Sequence, residues 1–282
     1  MVICNCKYFI IVVIYGKRLS ESSTLTSLAD AGNLLQGRCR LLLWDNSPMP
    51  SPSDEVEQFR SKVSDIDLTY RHNQGENVAL SKLYNRSIAL LQEDEMLVIL
   101  DDDSHFDARL FSEADAAIAQ HTDIDLFIPI VYNGEDIVSP AAMVGFKGHY
   151  LKEVKPGLMS VKHRTAINSG MMIRTRYLKH GFDGYDENFR FYFTDNDFMS
   201  RYTASHAHFY VLDYKMQHSL NFYARGESFA VKSQRFRDLR RSFLRLMRRK
   251  GWIAYAGTWL YLVIYSIKFA IIHRDFRYIF VF

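Results

Sequence analysis

A succession of short apolar runs, each followed by a stretch of helical spacing, most constrains what this chain can fold into. Residues 8–15, Tyr-Phe-Ile-Ile-Val-Val-Ile-Tyr, read as a buried strand, and residues 40–44, Arg-Leu-Leu-Leu-Trp, as a second, closed by Asp45-Asn46-Ser47-Pro48. Residues 67–70 form a weaker third run, 96–100 a fourth and 125–131 a fifth. Between them, residues 22–35, a loop and helix through Phe59, residues 78–92 and residues 108–120 carry helical spacing, with Ser22 or Ser23 as a cap. Strands joined by helices of this length need right-handed crossovers, which predicts an α/β fold with a mostly parallel, helix-flanked sheet. Such sheets bind ligands beyond the carboxyl ends of their strands. The polar clusters Asp45-Asn46-Ser47 and Asp101-Asp102-Asp103 fall at two of those ends.

The 282 residues suffice for one large domain plus an appendage, and 48% hydrophobic with 24% charged residues is the composition of a folded chain. A net charge of +3 conceals an asymmetry, with basic residues crowded at 235–250 and aspartates in the middle. That pattern does not describe a nucleic-acid surface. Cys4, Cys6 and Cys39 lack zinc-finger spacing and are expected to be reduced, in keeping with a cytoplasmic protein. The apolar run at 8–15 is short and lacks a cleavage site, so it reads as strand and not as a signal peptide.

Three constellations carry chemistry. Consecutive aspartates repel and hold one another's protons unless a cation compensates, and a hard divalent metal with oxygen ligands is the natural compensator. A solvated turn whose aspartate caps the next helix explains the same residues. Asp195 and Asp197 follow the aromatic run Phe189-Arg-Phe-Tyr-Phe193, where one carboxylate suits a general base and helix capping is the alternative. His218 is the third; alone, it is more often a satisfied core or surface histidine than a ligand.

Taken in order over roughly residues 10–219, these segments resemble the family 2 glycosyltransferases of the GT-A fold. The similarity is nearest to the branch that builds bacterial surface polysaccharides, including rhamnosyl, galactofuranosyl and galactosyl transferases. The resemblance implies that Asp45 contacts the nucleotide base, that Tyr15, Asn73, Gly75, Asn85, Asp101 and Asp102 belong to the nucleotide-sugar site, and that Asp101, Asp103 and His218 hold manganese or magnesium. It implies acceptor contacts at Asn168, Ser169, Gly170, Asp186, Glu187 and Asp197, with Asp195 as catalytic base. Two departures stand out: the first strand ends Ile14-Tyr15-Gly16 in place of the family's Thr-Tyr-Asn, and Thr194 replaces a glutamate before the base.

The implied reaction is a single inverting displacement, in which Asp195 deprotonates an acceptor hydroxyl that attacks a nucleotide-diphosphate sugar, UDP- or dTDP-linked. A lipid-linked oligosaccharide acceptor and an O-antigen or capsule pathway go with that family branch, and self-association is left open. Two rival readings are a metal-dependent phosphohydrolase using the aspartate triplet and a GT-A-like subunit that binds sugar nucleotides without turnover. Residues 1–223 are expected to form the catalytic domain and 224–282 a helical tail. Its basic stretch carries Phe236, Leu239, Phe243, Leu244 and Met247 on one side, and an apolar run at 252–272 follows. Tyr255, Trp259, Tyr261, Tyr265 and Lys268 within that run favour a helix lying on the inner face of the cell membrane over one that spans it.

Overall fold

The computed structural model describes residues 7–144, 147–219 and 228–281. Cys4, Cys6 and the expected domain boundary at 223/224 lie outside the described residues. The strands are β1 Lys7–Ile14, β2 Cys39–Asp45, β3 Asp67–His72, β4 Glu95–Asp101, β5 Ser104–His105 and β6 Leu126–Asn133. They continue with β7 Asp136–Val144, β8 Lys147–Leu151, β9 Gly157–Ser160, β10 Arg164–Thr165, β11 Met171–Arg174 and β12 His208–His218. The helices are α1 Ser23–Asp30, α2 Gly32–Leu35, α3 Ser53–Lys62, α4 Leu80–Ile88, α5 Arg109–Gln120, α6 Thr175–His180, α7 Thr194–Ser205, α8 Phe229–Arg249 and α9 Trp252–His273.

One sheet runs in the order β10-β7-β6-β11-β4-β1-β2-β3. Its first-formed half, β4-β1-β2-β3, is parallel throughout, as the alternation of strand and helix requires. Beyond it β11 enters antiparallel to β4, and β12 pairs parallel with β6 and antiparallel with β5 and β9. The sheet is therefore mixed, with the parallel half carrying the strand ends that matter for ligands.

The pleat divides the core into two layers. Tyr8, Ile10, Val12 and Ile14 face α1, α3 and α5 through Leu25, Phe59 and Phe111. Phe9 and Ile11 face the opposite side with Leu83 of α4, Leu178 of α6 and Phe198 of α7. Each fully buried side chain of this kind contributes roughly 1.5–3 kcal/mol, so the strand between the layers is fixed in register. The aromatics that enrich the second half of the chain mostly pack here, around Tyr177, Tyr185 and Tyr202. Cys39 is buried and free, and burial pushes its thiol up to about 12, which removes thiolate reactivity.

Two expected helices differ from the observed ones. Residues 22–35 divide into α1 and α2 at Ala31, and the helix expected over 78–92 starts later and stops sooner as α4. Val78 is held extended because its N–H donates to Asn46 Oδ1 at 2.9 Å, and Ala79 follows in an extended conformation before the first turn.

Candidate active site

Parallel pairing sets Val13 of β1 beside Asp101 and Ile14 beside Asp45, so the ends of β4, β1 and β2 form one edge. Asp101 closes β4, and the next residues turn sharply into β5. There β5 meets the end of β12, with Ser104 opposite His218. Strand pairing thus delivers a histidine 114 residues distant in sequence to the aspartate turn.

His218 Nδ1 lies 3.0 Å from Asp103 Oδ1, and Nε2 lies 3.6 Å from Asp101 Oδ2. One ligand atom from each residue falls within 4.8 Å of the others. His218 is buried, while the Asp101 side chain keeps 40% of its surface exposed toward the cleft. Asp103 Oδ1 is buried and has no well-aligned donor despite the nearby imidazole. Desolvation by the surrounding protein raises the Asp101 carboxyl despite that opening; His218 opposes the rise, and Asp103, Asp102 and Asp195 add to it. Burial alone would lower the His218 imidazole, but Asp103, Asp101 and Asp102 outweigh it and raise it. Two carboxylates and an imidazole, one oxygen lacking a donor, fit a divalent cation, which would take the place of the imidazole proton.

The turn is pinned from behind by α1. Ser22 Oγ caps that helix and donates to the Asp102 carbonyl at 2.7 Å, while Thr24 Oγ1 accepts from Ser104 N–H at 2.9 Å. Ser169 Oγ accepts from Asp101 N–H at 3.1 Å and pairs with Ser104 Oγ at 2.6 Å. Asp102 turns away from the trio and forms an ion pair with Lys17 at 3.0 Å. Lys17, Thr24 and Ser104 carry no motif, and only the position of Ser104 directly after the triplet could have signalled its part.

Asp195 stands in the first turn of α7, with Oδ1 accepting from Asn196 N–H at 2.7 Å. Burial pushes its carboxyl up to about 6, with hydrogen bonds from Asn196 and its own backbone opposing. Its charge reaches Asp101, as well as the buried hydroxyls of Tyr84 and Tyr185. Those two rings sit 5.1 Å apart and are driven well above the ordinary tyrosine range by burial, so they stay neutral beside the carboxylate. A cleft of about 770 Å³ includes Val13, Tyr15, Asn46, Asn77, Asp101 and His218 in its walls.

The remaining expected site residues make protein contacts of their own. Asp45 has no exposed surface: its carboxylate accepts from Tyr70 Oη at 2.6 Å, Ser51 N–H at 2.8 Å and Ser47 N–H at 3.0 Å. Burial would raise this carboxyl, but those hydrogen bonds prevail and hold it low. It therefore shapes its own loop, and its neighbour Asn46 reaches the cleft in its place. Asn73 donates to Asn46 Oδ1 at 2.8 Å, and Gly75, at φ +83°, lies against the Pro48 carbonyl, where a Cβ would stand at 3.0 Å. Both support the 46–48 loop from outside.

Asn85 contacts the segment ahead of α7. It clamps the 184–187 turn, accepting from Tyr185 N–H at 2.7 Å and donating to the Tyr185 carbonyl at 2.9 Å. Asn168 donates to Thr194 Oγ1 at 2.8 Å, and Gly170 sits where a Cβ would meet Pro129 at 2.6 Å. The Asn168-Ser169-Gly170 segment is thus a joint behind Asp101 and Asp195. Asp186 and Asp197 both engage arginines. Asp186 pairs with Arg245 at 2.7 Å and with Arg249; Asp197, 1% exposed, pairs with Arg249 and with Arg201 at 3.1 Å. Burial acts to raise Asp186, yet Arg245 and Asn188 hold its carboxyl down at about 2. Glu187 remains exposed.

The overall fold, with its mixed sheet, is shared with solved enzymes. The chain is similar to S. aureus TarS residues 1–349 at a TM-score of 0.57 and 16% identity, covering 91% of this chain and 79% of that one. The fold is that of the GT-A glycosyltransferases. GalNAc-T7 with UDP, GalNAc and Mn2+ is similar at a TM-score of 0.58 and 9% identity, over 83% of this chain and 48% of that one. The Pyrobaculum calidifontis mannosyltransferase PcManGT, with GDP-Man and Mn2+, follows at 0.52 and 14%, over 91% and 70%. The chain spans 43% of the longer S. aureus TarS chain. No family model and no curated protein matches the sequence.

Proposed function

We propose that the chain is an inverting, metal-dependent glycosyltransferase. In this reading it moves a sugar from a UDP- or dTDP-linked donor to a lipid-linked glycan during cell-surface polysaccharide assembly. One observation carries the reading: Asp101, Asp103 and His218 each bring a ligand atom within 4.8 Å of the others in the wall of the large cleft. A metal-held donor and a carboxylate base, here Asp195, are what a single displacement needs. The similar structures described with UDP, or with a sugar nucleotide or sugar and Mn2+, add support.

Asp101, Asp103 and His218 would hold the cation, and Asp101 and Asp103 stay anionic with it. When bound, the metal neutralises charge on the departing diphosphate. Asp195 Oδ takes the acceptor proton, and a carboxyl near 6 is ionised at neutral pH while retaining enough basicity to accept. Tyr84 and Tyr185 contribute a low-dielectric wall that keeps the basicity up.

Attachment to the inner membrane face is part of the same proposal. α9 is 22 residues long, and only 22% of its most apolar window is buried. Ile264, Ile267 and Ile271 lie along its exposed side, while Leu262, Ser266 and Ala270 face inward. α8 presents basic residues beside it, so the pair suits an anionic surface with α9 lying in plane.

The test is a panel of UDP-, dTDP- and GDP-sugars with and without manganese, read by thermal shift and slow hydrolysis. Manganese-dependent stabilisation by one donor is expected. A chain indifferent to every donor in the presence of metal overturns the reading.

A further inference from the structure

The cleft wall after β2 contains a pair of asparagines whose hydrogen bonds settle which amide atoms remain for a ligand. The Val78 N–H can only donate, so the Asn46 atom 2.9 Å from it is the carbonyl Oδ1. That oxygen also accepts from Asn73 Nδ2 at 2.8 Å. The Asn46 amide nitrogen, fixed by this assignment, donates to the Val78 carbonyl and to Asn77 Oδ1, each at 2.8 Å. A primary amide has two donors and one oxygen with two lone pairs, so Asn46 is saturated. It lines the cleft but has no hydrogen bond left to offer.

Asn77 stands in the opposite condition. Its Oδ1 is engaged by Asn46, and its Nδ2 has no protein acceptor among the described residues. Its backbone is held: Arg190 Nη2 donates to the Asn77 carbonyl at 3.0 Å, and Leu80 N–H donates to the Arg190 carbonyl at 2.7 Å. Asn77 is half-buried and lines the same cleft as Tyr15, whose ring is 53% exposed. The side chain therefore brings N–H donors, and a spent acceptor, to this end of the cleft.

The sheet sets how far this end lies from the aspartate turn. Asp101 sits beside Val13 of β1, and β2 is the next strand. Two strand spacings, about 10 Å, thus separate the Asp101 edge from the Asn46 edge. A diphosphate gripped at Asp101 and Asp103 places its nucleoside along that edge. The Tyr15 ring offers a flat apolar face for a base. Asn77, joined to Asn46, is where the base edge farthest from the ribose arrives.

We infer that Asn77 selects the base of the donor: its Nδ2 donates to the C4 carbonyl of a uracil or thymine ring. Cytosine carries an amino group at that position, which would set two donors against each other with neither paired. The thymine methyl takes no part in this contact, so Asn77 does not separate UDP from dTDP donors. The inference deepens the proposed transferase reading and rests on it.

The experiment is calorimetry of UDP and of CDP, with manganese, on the full chain as wild type, Asn77→Asp and Asn77→Ala. The two nucleotides share ribose and diphosphate, so the ratio of their affinities isolates the base. Wild type should bind UDP at least about tenfold tighter than CDP. Asn77→Asp keeps an oxygen for Asn46 Nδ2 and turns the remaining atom from donor to acceptor, so the preference should pass to CDP. Its added charge opposes both diphosphates alike and cancels from the ratio. Asn77→Ala should bind the two nucleotides equally.

Equal binding of UDP and CDP by wild type overturns the inference, as does a wild-type UDP preference in both variants. Should Asn77→Asp fail to melt cooperatively, the ratio in Asn77→Ala carries the test. Inorganic pyrophosphate with manganese, which has no base, is titrated beside the nucleotides. Wild type that binds neither pyrophosphate nor a nucleotide counts against the transferase reading, and the assignment falls with it. Binding of all three ligands with no base preference counts against Asn77 alone.

Discussion

At the residue scale, the proposed mechanism sets Asp195 and His218 at opposite ends of one task. Asp195→Asn keeps the shape and the Asn196 contact, so metal and donor binding should survive while transfer falls about 10²–10⁴-fold, the usual contribution of a general base. Donor calorimetry beside acceptor turnover separates the two, and near-native turnover would remove Asp195 from its role. Because burial raises this carboxyl to about 6, the protonated and inactive form gains below that pH. With manganese and donor saturating, turnover should therefore fall as pH drops through about 6 and level off above it. The residual turnover of Asp195→Asn should lack that limb. His218→Ala removes a ligand and leaves the base, so excess manganese should restore much of its activity, since mass action offsets a lowered affinity. Asp195→Asn should show no such rescue.

At the element scale, the parallel half of the sheet was legible because β1, β2 and β4 are apolar on both faces and end in polar clusters. The antiparallel additions were not, since β5 and β10 are two residues long and take their pairing from distant strands. That Asp101, Asp103 and His218 belong together was legible from residue type and order, and they form a cluster that could hold a metal. The fate of Asp186 and Asp197 was not, because their partners Arg245 and Arg249 belong to a helix that sequence reading assigned to a separate tail. That helix is instead latched to α7. Phe193, held at φ +67° just before α7, stacks on Phe243 of α8 at 4.8 Å, two residues from Asp195. A left-handed phenylalanine is sustained only by surroundings that fix it. Arg249→Ala leaves Asp197 with Arg201 alone, and should cost about 1–3 kcal/mol in chemical denaturation, as for a lost hydrogen bond to a charged group. The 40% exposure of the Arg249 side chain keeps the loss below that of a fully buried pair. A change within error would mean that the latch does not hold α8.

At the scale of the whole molecule, the question is what covers α9. Phe189 ahead of α7 shares one cluster with Phe243, Leu246 and Met247 of α8 and Leu262 of α9, so the helical pair is continuous with the catalytic body. Removing everything after Gly251 would strip Leu262 from that cluster and expose its partners. Truncation is therefore a poor probe of membrane attachment, and substitution of outward residues is a cleaner one. Ile264, Ile267 and Ile271 recur at three- and four-residue intervals on the exposed side, 57%, 42% and 67% accessible. Each apolar side chain transferred from water into a bilayer interface adds to binding in proportion to its area, and the arginines of α8 add attraction to anionic lipid. Replacing the three isoleucines with serine should leave the melting temperature nearly unchanged, because none packs inward. The same variant should sediment far less with vesicles of mixed phosphatidylglycerol and phosphatidylcholine. High salt should weaken the remaining binding further, since only the screened electrostatic part survives. Cosedimentation of the triple variant equal to that of wild type, at low and at high salt, would place the membrane contact elsewhere on the surface.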